Sequence, residues 1–142
     1  MSAQRLYTPE LLALAVELAK WPPLEAGSHG EARSPTCGST LALDLELDGD
    51  GNIAGLGMKV RACAVGQAAA AIFARHAVGR DQAMLARALA QLEGWLAQDG
   101  ELPDWPGIAP LVPARAYPAR HGAMLLPWKA ALAALSSTAP AG

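Results

Sequence analysis

The stretch Ser34-Pro35-Thr36-Cys37-Gly38-Ser39 runs directly into Thr40-Leu41-Ala42-Leu43-Asp44-Leu45-Glu46-Leu47, and this join decides how the chain is read. From Thr40 onward the alternation is strict: Leu41, Leu43, Leu45 and Leu47 interleave with Ala42, Asp44, Glu46 and Asp48. A period of two residues puts the leucines on one face of a half-buried strand and the polar residues on the other. Asp48-Gly49-Asp50-Gly51-Asn52 follows, a cluster of residues that turn tightly and tolerate positive φ. Ile53 to Val60 then reads as the returning strand, with Gly55 and Gly57 marking a bulge or twist. Just beyond it, Cys63 precedes the Ala-rich run Ala64 to Val78. A hairpin over Thr40 to Val60 brings its own two ends together. Cys37 and Cys63, the two cysteines of the chain, are thereby carried to a shared place although far apart in sequence.

Asp48, Asp50 and Asn52 have the opening spacing of a calcium loop. The sixth position of such a loop requires Gly and here is Ile53; the twelfth requires Glu and here is Lys59. A hairpin turn accounts for the residues better.

Outward from the hairpin, Thr8-Pro9-Glu10 is a helix start, with Thr8 as cap and Pro9 at the first helical position. Leu11, Leu12, Ala15, Leu18 and Ala19 give this helix one apolar face, and Pro22-Pro23 stops it near Trp21. Gly27, Ser28 and Gly30 suggest a loop, with a short edge strand over Glu31 to Arg33. The Ala-rich helix ends at Gly79, a good residue just past a helix C-terminus, and its small side chains permit close packing. His76, near its end, reads as a surface or capping residue. Asp81 caps a further helix to about Gln98, with Met84, Leu85, Ala88, Leu89, Leu92 and Leu96 as its stripe and Gly100 as its stop. Leu102 to Pro118 is a Pro-rich connector with helical turns around Trp105 to Leu111. A last helix covers roughly His121 to Leu135, with Pro127 near its start or kinking it, and Ser136 to Gly142 is a flexible tail. The expectation is a single domain over residues 1–142, with a core from about residue 6 to 135. Its fold class is α+β: a small antiparallel sheet of two to three strands against four to five helices.

Composition excludes several functions. Of 142 residues, 52% are apolar and 17% charged, enough for a sizeable core and too apolar for disorder. Eleven basic residues face 13 acidic ones and aromatics are few, which argues against nucleic acid and anionic membranes as partners. No apolar run approaches the roughly 20 residues needed to span a bilayer. The N-terminal Met1-Ser2-Ala3-Gln4-Arg5-Leu6-Tyr7 lacks the pattern of a secretory signal, so the expected location is cytoplasmic. Disulfides seldom persist there, and the cysteines are therefore either inert core residues or reactive and metal-binding ones. Cys63 ahead of a helix, with Arg61 nearby, is placed to ionise readily. Gly38 after Cys37 lets the backbone turn and leaves that thiol accessible. Two thiolates do not complete a metal site: zinc takes four ligands, and iron–sulfur clusters usually take Cys at each protein position. His121 and His29 are candidate additional ligands. Taken alone, Cys63 reads equally well as a small buried apolar residue. No nucleophile–base pair and no phosphate-binding Gly loop points to a hydrolase or transferase.

The Cys37 segment, the hairpin, Cys63 and the Ala-rich helix together resemble the NifU/IscU/SufU-type iron–sulfur cluster assembly scaffolds. That family carries an Asn-Pro-x-Cys-Gly-Asp-like segment, two strands, a Gly-Cys segment opening an Ala/Ser-rich helix, and a third Cys opening a late helix. Ala77-Val78-Gly79-Arg80 is similar to the family's Gly-Lys helix ending, and Tyr117-Pro118-Ala119-Arg120-His121 with Trp128-Lys129-Ala130 resembles the SufU-like branch. The resemblance spans about Leu6 to Leu135. The chain departs from the pattern at the family's Asp, here Ser39, at the Gly before the second Cys, here Ala62, and at the third Cys, which aligns with Ala123. The resemblance implies a non-enzymatic scaffold that binds iron or a [2Fe–2S] cluster through Cys37 and Cys63, with Ser39 as a weak hydroxyl ligand and His121 substituting from the preceding turn. It implies a cysteine desulfurase as sulfur donor and cluster-acceptor proteins as partners, with a homodimer as one arrangement. The alternative is a degenerate member that binds zinc, accepts persulfide sulfur, or regulates a partner.

Overall fold

The computed structural model describes residues 7–97 and 101–137. Helix α1, Pro9–Glu17, starts as its sequence requires: Thr8 Oγ1 accepts from the Leu11 amide at 3.1 Å and Pro9 occupies the first turn. A 3-10 turn, Leu18–Lys20, tightens its end before Trp21. Three strands follow, β1 (Ser28–Arg33), β2 (Thr40–Leu47) and β3 (Ile53–Arg61), as an antiparallel sheet in the order β1-β2-β3. The expected hairpin is β2–β3. Its turn is closed by Asp48, whose Oδ1 accepts from the amides of Asp50 (2.9 Å) and Asn52 (3.0 Å), so this carboxylate serves the turn itself.

One face of β2, Leu41, Leu43 and Leu45, is fully buried, each leucine adding roughly 1.5–3 kcal/mol through burial. The bulge does not fall at Gly57. Glu46 opposes Gly55 and Leu47 opposes Ile53, so Ala54 is the extra residue. Gly57 has another purpose: a side chain there would overlap the Pro22 carbonyl, where the segment after α1 crosses β3. β1 is longer than the expected Glu31 to Arg33, because Ser28, His29 and Gly30 also pair with β2.

Helix α2 (Ala64–His76) buries Val65, Gly66 and everything from Ala68 to Ala74, so its small residues let neighbouring elements close in. Gly79, with φ of 91°, ends the segment and its amide bonds Ile53 O at 2.8 Å. Helix α3 (Gln82–Ala97) is capped by Asp81, which accepts from the Met84 amide at 2.9 Å. It buries Leu85, Ala88, Leu92 and Trp95, whereas Met84 is exposed and Leu89 and Leu96 are only partly covered. The expected stop at Gly100 lies outside the described residues.

The Pro-rich connector holds a 3-10 stretch at Ala109–Ala116, slightly later than the expected turns. Arg115 fastens it to α3 by donating from Nε to Trp95 O at 2.8 Å. Helix α4 (Pro118–Ser137) begins earlier than expected, at a proline that suits a first turn, and it passes through Pro127. It packs against β1, β2, α2 and α3, which explains why its apolar residues surround the axis rather than form one stripe. Ser136 and Ser137, expected in the tail, belong to α4; residues 138–142 lie outside the description. Trp128 sits at the centre, edge-on to Phe73 (5.5 Å) and Trp105 (5.3 Å), while Trp105 Nε1 donates to Ile72 O at 3.1 Å. No helix among the described residues is long and apolar enough to cross a membrane.

Candidate thiol site at the sheet end

Residues 34–39 connect β1 to β2 in a tight loop. The Ser34 amide bonds Ser39 O and the Gly38 amide bonds Ser34 O, both at 2.8 Å. Gly38 has φ of 73°, a conformation that favours Gly. This folding lifts Cys37 to the surface and leaves two hydroxyls beneath it. Its Sγ lies 3.0 Å from Ser39 Oγ and 3.4 Å from Ser34 Oγ. Ser34 and Ser39 are themselves buried, at 2% and 5% exposure, the two buried polar side chains among the described residues. Gly122 of α4 makes room for Ser34, since a side chain there would collide with the Ser34 hydroxyl.

When the Cys37 thiol ionises, both hydroxyls can turn to donate to the thiolate. Ser34 first and Ser39 second hold its pKa below the usual thiol value, against a smaller opposing effect of burial. The Ser39 amide and the positive charge of Arg120 act in the same sense. Ser34→Ala should therefore move the pH profile of Cys37 alkylation upward and slow the reaction with iodoacetamide near neutral pH several-fold. An unchanged profile would show that the hydroxyl does not reach the sulfur.

Cys63 is the N-cap residue of α2, with extended φ and ψ of −64° and 170°. Its sulfur makes no capping bond, and its carbonyl accepts from the Gln67 amide at 2.9 Å. It is half-buried against the core. Because Thr40 opposes Arg61 in the sheet, Cys37, three residues before Thr40, and Cys63, two after Arg61, flank the same end of β2–β3. Ala123 of α4 reaches that end as well. It is fully buried, and a side-chain carbon on Gly66 would stand 3.2 Å from its methyl. Pro127 has no amide to donate to the Ala123 carbonyl four residues earlier, although the helix runs on through it.

The candidate histidines are placed differently. His121 Nε2 donates to Arg115 O at 2.7 Å and ties the start of α4 to the connector. His29 lies on the solvent face of β1, between Asp44 (2.8 Å) and Glu31 (2.7 Å), and both carboxylates raise its pKa. It stands four residues from Arg33, roughly 13 Å along the strand from the thiol loop. Among the described residues no group of three or more His, Cys, Asp or Glu is arranged to hold a metal ion. Sequence reasoning treated Ser34 only as part of a motif and did not single out Arg120 or Gly122, because their roles come from contacts between the loop and α4.

The architecture is that of a small antiparallel sheet covered by helices, with two thiols and two hydroxyls at one sheet end. No protein-family model matches the chain, and no curated protein matches it closely enough to count as a relative. Solved structures do match. A NifU-like N-terminal protein from Brucella abortus superposes with a TM-score of 0.87 at 26% identity, covering 98% of this chain and 100% of that one. An iron–sulfur cluster assembly scaffold protein for the SUF system, described as putative, from Fervidobacterium islandicum gives 0.78 at 20% identity, over 92% and 97% of the two chains. A hypothetical protein gives 0.70 at 22% identity. The resemblance to NifU/SufU-type scaffolds drawn from the sequence holds in the structure, and the α+β fold is the NifU N-terminal-like one.

Proposed function

We propose that the protein is a non-enzymatic carrier of the iron–sulfur scaffold type, which takes up iron or a [2Fe–2S] cluster at Cys37 and Cys63 and passes it on. The observation that carries this reading is the exposed, thiolate-favouring Cys37 at the same sheet end as Cys63, in a fold whose structural neighbours include the NifU-like protein and the SUF-system protein named above. The chain's own donors are two thiols and the Ser39 hydroxyl, which is fewer than the four ligands a cluster usually takes. Cys37 and Cys63 would hold the iron side by side, Ser39 would contribute weakly, and the remaining positions are filled from outside, by a donor thiol or a second copy. A cysteine desulfurase as sulfur source and cluster acceptors as recipients follow from the scaffold reading, as does a cytoplasmic setting.

Anaerobic incubation with ferrous iron and sulfide is expected to give a coloured protein containing iron, and Cys37→Ser or Cys63→Ser to give a colourless one. A native chain that stays colourless and iron-free overturns the cluster-binding reading.

The lowered pKa of Cys37 together with its exposure favours a second role, sulfur acceptance. Here the Cys37 thiolate attacks the outer sulfur of the donor's persulfide. The new S–S bond makes a persulfide on Cys37, the donor S–S bond breaks, and the donor leaves as a thiolate. Mass spectrometry after incubation with a cysteine desulfurase should find one added sulfur on Cys37. Zinc at the same pair is a further alternative, and metal analysis of the purified protein separates it.

A further inference from the structure

The solvent face of the sheet, next to the thiol loop, carries a feature that metal or sulfur chemistry does not use. Register puts Arg33, Thr40 and Arg61 side by side across the three strands, and Glu31, Ala42 and Lys59 in the next row on the same face. These residues line a shallow cavity of about 500 Å³. Its floor is made by small side chains of β2, Thr40 and Ala42, and its two flanks by cations. Arg33, Lys59 and Arg61 all reach solvent and form no ion pair among the described residues. The one carboxylate in the rows, Glu31, is already held by His29. A surface that sets three unpaired cations around an uncharged floor is built for an anionic visitor.

We propose that this face docks an acidic, extended segment of a partner protein. Arg33 and Arg61 stand two strands apart, about 9.5 Å by strand spacing, so they do not converge on one small anion. Lys59 and Arg61 are two residues apart on one face of β3, a repeat of about 6.7 Å. Acidic residues at alternate positions of an extended partner segment have the same repeat. A nucleic acid is the poorer occupant, because the chain as a whole carries a formal charge of −2 and the cavity contains no aromatic side chain on which bases could stack. Arg33 directly precedes the Cys37 loop and Arg61 lies two residues before Cys63, so a segment seated here brings its protein up to the thiols. The electrostatics behind this surface do not depend on what the thiols hold.

The test is an amide NMR titration of the whole protein with a blocked peptide of alternating glutamate and alanine. Saturable shifts are expected at Arg33, Thr40, Ala42, Lys59 and Arg61, weakening as salt rises. The double variant Arg33→Ser/Arg61→Ser should bind about tenfold more weakly, with the rest of its spectrum unchanged, while Arg87→Ser binds as the native chain does. Three results overturn the proposal: no saturable shifts, shifts spread equally over Arg75 and Arg87, or the same shifts produced at lower concentration by inorganic phosphate or a single-stranded oligodeoxynucleotide.

Discussion

Gly30→Val is expected to unfold the protein or to destabilise it by more than about 3 kcal/mol, beyond the usual range for overpacking a core. Gly30 is buried in the edge strand β1, opposite Leu43. Helix α4 comes so close that even a methyl group at Gly30 would overlap the Ala130 carbonyl and the Ala134 amide. Both are backbone atoms of a helix, so no rotamer change relieves the collision. β1 and α4 would have to separate, and with them the inner face that covers the leucines of β2. Since a domain of this kind is stable by only about 5–15 kcal/mol, such a loss is large. Urea unfolding followed by circular dichroism measures it. Gly94→Ala is the control: that glycine lies in α3 with open space around it, and the change should stabilise by about 0.5–1 kcal/mol. A Gly30→Val variant that unfolds within about 1 kcal/mol of the native chain would contradict the seating of α4 on β1.

The same glycine explains a gap in what the sequence discloses. Ser28 to Gly30 reads as a loop because Gly is rare inside strands. In the fold it is strand, and Gly is needed there because a helix backbone lies against it. The local signal and the tertiary requirement use the same residue for opposite ends. The β2–β3 hairpin was legible because its alternation and its Asp-Gly turn agree. The start of α4 was less so: Pro118 belongs equally to a run of connector prolines and to a first helical turn, and packing decides between them. Trp95 escaped the α3 stripe because that stripe was traced through aliphatic residues. The placement of Cys37 and Cys63 at one sheet end was legible, since a hairpin over Thr40 to Val60 brings its own ends together; the bulge at Ala54 only moves the partner of Thr40 from Val60 to Arg61. The hydroxyl of Ser34 beneath the Cys37 sulfur was not, since it is set by Gly122, far away in sequence.

A carboxylate at Ser39 and a thiol at Ala123 should together tighten metal binding sharply. The family resemblance puts a carboxylate at Ser39 and a thiol at Ala123. Ser39 Oγ already lies 3.0 Å from the Cys37 sulfur, and Ala123 is fully buried beside Gly66 at the Cys63 end of α2. In the Ser39→Asp/Ala123→Cys variant the donor set becomes three thiols and one carboxylate. A structural four-ligand site is worth about 10–16 kcal/mol, or roughly 3 kcal/mol per ligand, so two added ligands should tighten metal binding by far more than about a hundredfold. Against this stand overpacking by the sulfur that Ala123→Cys introduces, about 1–3 kcal/mol, and repulsion between the new carboxylate and the Cys37 thiolate. Both penalties fall on the empty protein, and a bound cation relieves the second. The metal-free variant should therefore melt below the native chain, and the loaded variant well above its own metal-free form. Cobalt(II) titration, read through thiolate charge-transfer absorbance, measures the affinity directly. The single variant Ala123→Cys separates the effect of the thiol from that of the carboxylate. A double variant that folds but binds cobalt no more tightly than the native chain would mean that Ala123 does not face the sulfurs of Cys37 and Cys63, and the four positions could then not be one site.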